Sequence, residues 1–113
     1  MAINFEEISF QIITFAGEAK SKAFAAINSA ESNQFAAAWQ EIDLAYKAII
    51  AAEKVHLEVI QQEAQGVKHE FSVLFMHAED QMLTSQSTID FAERFINIYK
   101  LINDKCNNKT NNK

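Results

Sequence analysis

The sequence predicts an all-α protein, an antiparallel three-helix bundle, and three observations predict it. The 113-residue chain has no proline and only two glycines, Gly17 and Gly66, so it lacks most of the residues that end helices or form hairpin turns. Ala, Glu, Gln, Lys and Ile, which favour helix or fit its apolar face, dominate the composition. Apolar residues also recur at steps of three and four in three separate stretches, the period of a helix with one buried face.

The first stripe runs Phe5, Ile8, Ile12, Phe15, Ala19, Ala23, Ala26, Ala30 and predicts one long helix. Glu31-Ser32-Asn33-Gln34 then makes a corner, in which Ser32 or Asn33 is expected to cap the second helix by accepting a backbone N–H bond. The second stripe is Phe35, Ala38, Ile42, Ala45, Ile49, Ala52, His56, Val59. Gly66 lies just past it, where a left-handed residue commonly ends a helix, and Val67 to Glu70 complete the turn. A third helix begins near there with the core stripe Phe75, Ala78, Met82, Ser85, Ile89, Ala92, Ile96, Tyr99. It is expected to dissolve at Asn103, giving a helical domain over residues 1–103 and a flexible polar tail over 104–113. Short corners make neighbouring helices antiparallel, and about 30 residues per helix gives a rod roughly 45 Å long. So thin a rod has much surface for its volume, and self-association is expected.

Composition excludes several function classes. Hydrophobic residues are 49% of the chain and charged residues 22%, close to soluble globular averages. Ten basic residues stand against fifteen acidic ones, a formal charge of −5, and the bases are scattered outside the tail, so nucleic acid is not an expected partner. Apolar runs such as Ala48 to Ala52 fall far short of the roughly 20 residues that span a bilayer, so no direct membrane insertion is expected. Met1 to Glu7 carries two acids and no base, unlike a secretory leader, and a cytoplasmic location is expected. Asn108-Lys109-Thr110 is then no glycosylation site, and the lone Cys106 in a polar tail has no patterned partner. Two isolated glycines cannot build a phosphate-cradling loop, and no nucleophile elbow is present.

The unusual feature is a second stripe on the third helix: Val73, His77, Asp80, Thr84, Ser87, Phe91, Ile98, Ile102. It is apolar at both ends and polar in the middle. Apolar ends predict that the face is covered, yet the polar centre would be costly to bury without partners, so the stretch is either a watered site or a meeting place for copies of the chain. His77 and Asp80, at i and i+3, share one helix face and can share a hydrogen-bond network or a metal. His56 falls on the second helix's core stripe, where a buried neutral imidazole bonded to a backbone or side-chain acceptor is expected. Glu53-Lys54-Val55-His56 matches half of a di-iron bundle site, but the chain has no second Glu-x-x-His. His69, in the corner, is expected to be solvated.

Three stretches together resemble the lactose/cellobiose-specific IIA family of the bacterial phosphotransferase system. They are Ile12-Ile13-Thr14-Phe15-Ala16-Gly17-Glu18-Ala19-Lys20-Ser21, then Ala52-Glu53-Lys54-Val55-His56 running on to Glu63-Ala64-Gln65-Gly66, and Met76-His77-Ala78-Glu79-Asp80-Gln81-Met82-Leu83-Thr84. The likeness spans roughly residues 5–102, and the third stretch is the specific one, against the family's usual His-x-Gln-Asp-His-Leu-Met-Thr. The resemblance implies a cytoplasmic phosphocarrier for uptake of a lactose/cellobiose-type disaccharide, with HPr as phosphoryl donor and a cysteine of a IIB component as acceptor. It implies a homotrimer, His77 as the residue that carries the phosphoryl group, and Asp80 as the ligand of one Mg2+ per trimer. The chain departs from the pattern at Glu79 (Gln in the family), at Gln81 (a second His) and at Met82-Leu83 (reversed). Glu79 lies about 200° round the helix from His77, so its charge is expected to point away from the imidazole. Two rivals remain: a helical interaction module that has lost transfer, and a histidine phosphotransfer domain, which typically has a Lys and a Gly shortly after its histidine. Neither follows His77.

Overall fold

The computed structural model describes residues 4–111, and they form three helices: α1 (Phe5–Glu31), α2 (Phe35–Ala64) and α3 (Val73–Asn111). Asn4 caps α1, its Oδ1 accepting the Glu7 N–H at 3.1 Å, while Glu6 and Glu7 place negative charge at the positive end of the helix dipole. The first corner corrects the expected cap. Neither Ser32 nor Asn33 caps α2, whose N-cap is Gln34 without a side-chain bond. Asn33 instead takes φ +60°, and the Gln34 N–H reaches the Ser29 carbonyl at 2.9 Å while the Asn33 N–H reaches Ala30 at 3.0 Å. The corner is a left-handed stop for α1, which asparagine tolerates better than most residues. Gly66, at φ +93°, ends α2 in the same way, with Val67 N–H to Gln62 O and Gly66 N–H to Glu63 O, both at 3.0 Å. Ser72 starts α3, its Oγ accepting the Phe75 N–H at 3.1 Å.

The core is built mainly from alanine and isoleucine. Ala16, Ala19, Ala23, Ala26 and Ala30 of α1 and Ala38, Ala45, Ala48 and Ala52 of α2 are buried, and such small side chains let the two backbones approach closely. Ile12, Ile42, Val59, Ile89 and Ile96 fill the wider spaces. Of the expected first stripe, Phe5 and Phe15 are only partly buried, and Ala16 replaces Phe15 at the centre. Ser85 is fully buried and donates to the Ala16 carbonyl at 2.9 Å, so it ties α3 to α1 at mid-height.

The expected end of α3 at Asn103 is also corrected: the helix runs to Asn111 rather than dissolving. No proline or glycine follows Gly66 to stop it, and Lys100 and Asp104 form an i,i+4 pair at 3.1 Å. The α1–α2 corner reaches only the level of Tyr99 and Lys100, where Tyr99 Oη donates to Glu31 at 3.4 Å and the Lys100 ammonium lies 5.3 Å from the Phe35 ring centre. Beyond that level α3 projects alone for about 18 Å at 1.5 Å rise per residue, which explains a length of 69 Å against cross-sections of 20 and 19 Å.

Tyr46 of α2 donates a short hydrogen bond to Glu93 of α3. That bond, followed by burial and the charges of Glu93 and Asp90, pushes the phenol up to about 12. Raised in the folded state, this group favours folding fully below its unfolded value of about 10, and the contribution is lost as pH rises through 12. An alkaline absorbance titration is therefore expected to show a tyrosine ionising near pH 12 that is missing from Tyr46→Phe.

Candidate functional site

The polar stretch of α3 lies on the outside of the isolated chain. His77, Asp80, Thr84 and Ser87 are exposed, and so are the apolar residues of the same stripe: Val73 (64%), Phe91 (61%), Ile98 (50%) and Ile102 (52%). The expectation that this face is covered is therefore not met within one chain. Neither His77 nor the Asp80 carboxylate has a hydrogen-bonding or charged partner among the described residues, and the two side chains stand one turn apart on the same face. Thr84, one turn further on, donates to the Asp80 carbonyl at 2.9 Å, a bond within the helix that leaves the carboxylate alone. Among the described residues no group of three or more His, Cys, Asp or Glu is placed to hold a metal within one chain.

The other two histidines are engaged. His56 has the expected side-chain acceptor but is half-buried rather than buried: its Nε2–H donates to Glu79 Oε2 at 2.7 Å, and its ring lies parallel to Phe75 with centroids 5.7 Å apart. Glu79 accordingly points away from His77 and across to α2, as its position on the helix requires. His69 is half-buried rather than solvated, which corrects that expectation. Its ring packs edge-on against Phe5 at 4.7 Å, and its Nε2 is buried without a hydrogen-bond partner.

Two features were missed by reading the stripe alone. Lys20 of α1 donates to Thr84 Oγ1 at 3.5 Å and so brings a cation to the flank of the polar stretch. It lies one turn after Ala16, whose carbonyl accepts from Ser85, so a tertiary contact brings it there and no sequence period signals it. The second is the link between Glu79 and His56, which lie 23 residues apart and on different helices. Helical periodicity gives each residue's own face but not which faces meet.

No described helix is long and apolar enough to cross a membrane. The family model described as "PTS system, Lactose/Cellobiose specific IIA subunit" matches residues 7–100. The chain is 32% identical over 93 residues to the lactose-specific EIIA component of the phosphotransferase system of Streptococcus mutans, covering 82% of this chain and 89% of that one. Its fold is similar to the crystal structure of the cellobiose-specific enzyme IIA from Bacillus anthracis, with TM-score 0.88, 36% identity, and coverage of 93% and 96% of the two chains. It is also similar to a chain of the IIA(chitobiose)–HPr complex of Escherichia coli, with TM-score 0.78, 27% identity, and coverage of 90% and 99%.

Proposed function

This chain belongs to the lactose/cellobiose-specific IIA family of the phosphotransferase system, and from that premise we propose that it is a cytoplasmic phosphocarrier, accepting a phosphoryl group from HPr on His77 and passing it to a cysteine of a IIB component in uptake of a lactose/cellobiose-type disaccharide. The observation that carries the reading is the contrast among the three histidines. His77 alone is exposed with both ring nitrogens unengaged, whereas His56 is bonded to Glu79 and His69 is packed on Phe5. An exposed neutral imidazole is a competent nucleophile near neutral pH, and a carrier that only receives and donates needs no nucleotide loop.

In this reading Nε2 of His77, the nitrogen farther from the backbone, attacks phosphorus in line with the donor's P–N bond. The new N–P bond forms as the old one breaks, the electron pair returns to the donor imidazole, and the proton on Nδ1 of His77 stays. Transfer to a IIB thiolate reverses these roles. Lys20, which donates to Thr84 two turns beyond His77, adds positive charge to the flank of the stripe.

The exposed apolar ends of the stripe favour a homotrimer in which three α3 helices meet. Assembly of that kind would cover Val73, Phe91, Ile98 and Ile102, and would bring three Asp80 carboxylates together. Their hard oxygen donors fit Mg2+, for which the described residues of one chain form no group of three or more candidate ligands. Bound there, the ion would neutralise the converging carboxylates; Asp80 itself would fix the three helices about the axis. Sedimentation is expected to give about three times the chain mass of 12.8 kDa, and a monomer at micromolar concentration would contradict the assembly. Incubation with the general phosphotransferase proteins and phosphoenolpyruvate tests the function itself. One acid-labile phosphoryl group per chain is expected, whereas a helical module that had lost transfer would take up none.

A further inference from the structure

We propose that His56 and Glu79 are a positioning pair that fixes the turn of α3 bearing His77 against α2, an inference that rests on the phosphocarrier reading. The seam between these helices is loosely filled. A groove of about 480 Å³ runs between them along Tyr46, Ile50, Gln86 and Asp90, and a cavity of about 360 Å³ opens at the start of α3 beside Val59, Phe75 and Glu79. Where side chains do not interlock, a few specific bonds set how far one helix is rotated relative to the other.

His56 supplies one such bond and one ring contact. Its ring stacks on Phe75 at an interplanar angle of 8°, and its Nε2 donates to Glu79 at 2.7 Å. Phe75 and Glu79 are one turn apart and bracket His77 in sequence, so gripping both fixes the rotation of the turn between them. Phe75 is held in turn by the Phe5 ring of α1, edge-on at 5.1 Å. The remaining charged groups near the cavity do not compete for His56. Glu63 and Glu70 line the opening, His69 is packed on Phe5, and Glu53, beside the other groove, accepts from Gln86 at 2.8 Å. A carboxylate at position 79 only accepts hydrogen bonds, so it holds the His56 ring with a proton on Nε2. The negative charge that Glu79 adds is thereby used on α2 and kept off the face that carries His77.

The test compares two single variants with one paired exchange in the whole protein, with phosphorylated HPr as donor. His56→Ala and Glu79→Ala are each expected to slow phosphoryl acceptance at saturating donor by roughly 3- to 10-fold. The donor concentration giving half the maximal rate should not change, because the pair bonds across to α2 and acts through the position of His77. The double variant His56→Gln/Glu79→Gln, whose two amides can bond each other, is expected to return to within about twofold of the native rate. Amide exchange at residues 77–80 should quicken in both single variants and recover in the double one. Native rates in the single variants, or a Gln/Gln protein as slow as they are, would overturn the proposal. If even the native protein accepts no phosphoryl group, the phosphocarrier reading fails, and exchange at residues 77–80 alone decides whether the pair positions the turn.

Discussion

Replacing His77 by glutamine is expected to abolish acid-labile phosphorylation, a loss of at least about a thousandfold in acceptance, while leaving the fold and assembly intact. Within one chain the side chain is exposed and has no hydrogen-bonding partner among the described residues, so glutamine removes no packing there and breaks no hydrogen bond. Chemistry alone changes, since an amide has no lone pair able to attack phosphorus. His56→Gln and His69→Gln should still be labelled, the first more slowly. His56 already spends Nε2 on Glu79, and His69 has Nε2 buried where a phosphoryl dianion could not enter without heavy desolvation. Labelling of His77→Gln at the native level, measured with the same donor, would remove His77 from the reaction.

The second large effect concerns Asp80. Asp80→Leu should leave a folded trimer whose thermal midpoint is unchanged or higher and no longer responds to Mg2+ or to chelator. The carboxylate has no partner among the described residues of its own chain, so its removal orphans no local partner. In the assembly it would replace three converging charges by apolar groups that continue the Val73 and Phe91 stripe. Differential scanning calorimetry with and without Mg2+ measures this. A native protein indifferent to the ion, or a mutant that dissociates, would contradict the axial placement.

The architecture was legible because its signals are local. Three stripes at three- and four-residue spacing gave the three helices, and Gly66 marked the end of α2 through its left-handed conformation. Asn33 was misread because an asparagine in a corner serves equally as a cap for the next helix or as the left-handed stop of the last one. Only the bonds from Gln34 and Asn33 back to Ser29 and Ala30 distinguish the two. The end of α3 was misplaced because polar composition was taken for loss of helix. A lone helix can stay continuous where nothing breaks it and a pair such as Lys100–Asp104 supports it.

At the candidate site, the stripe placed His77 and Asp80 on one face and sent Glu79 away from it, as the structure has them. What lay beyond reach was tertiary. Lys20 meets Thr84, and His56 meets Glu79, only because α1 and α2 pack on α3 at a particular height and rotation. His69 looked solvated because no sequence period foretells that the start of α1 will fold its Phe5 ring onto the second corner.

The most direct test of the central claim is to locate the phosphoryl group on the native protein. After phosphorylation through HPr, fragment mass spectrometry at alkaline pH, where phosphohistidine survives, should place it on His77, with His56 and His69 unmodified. A phosphoryl group on either of those two histidines, or on none of the three, would contradict the account.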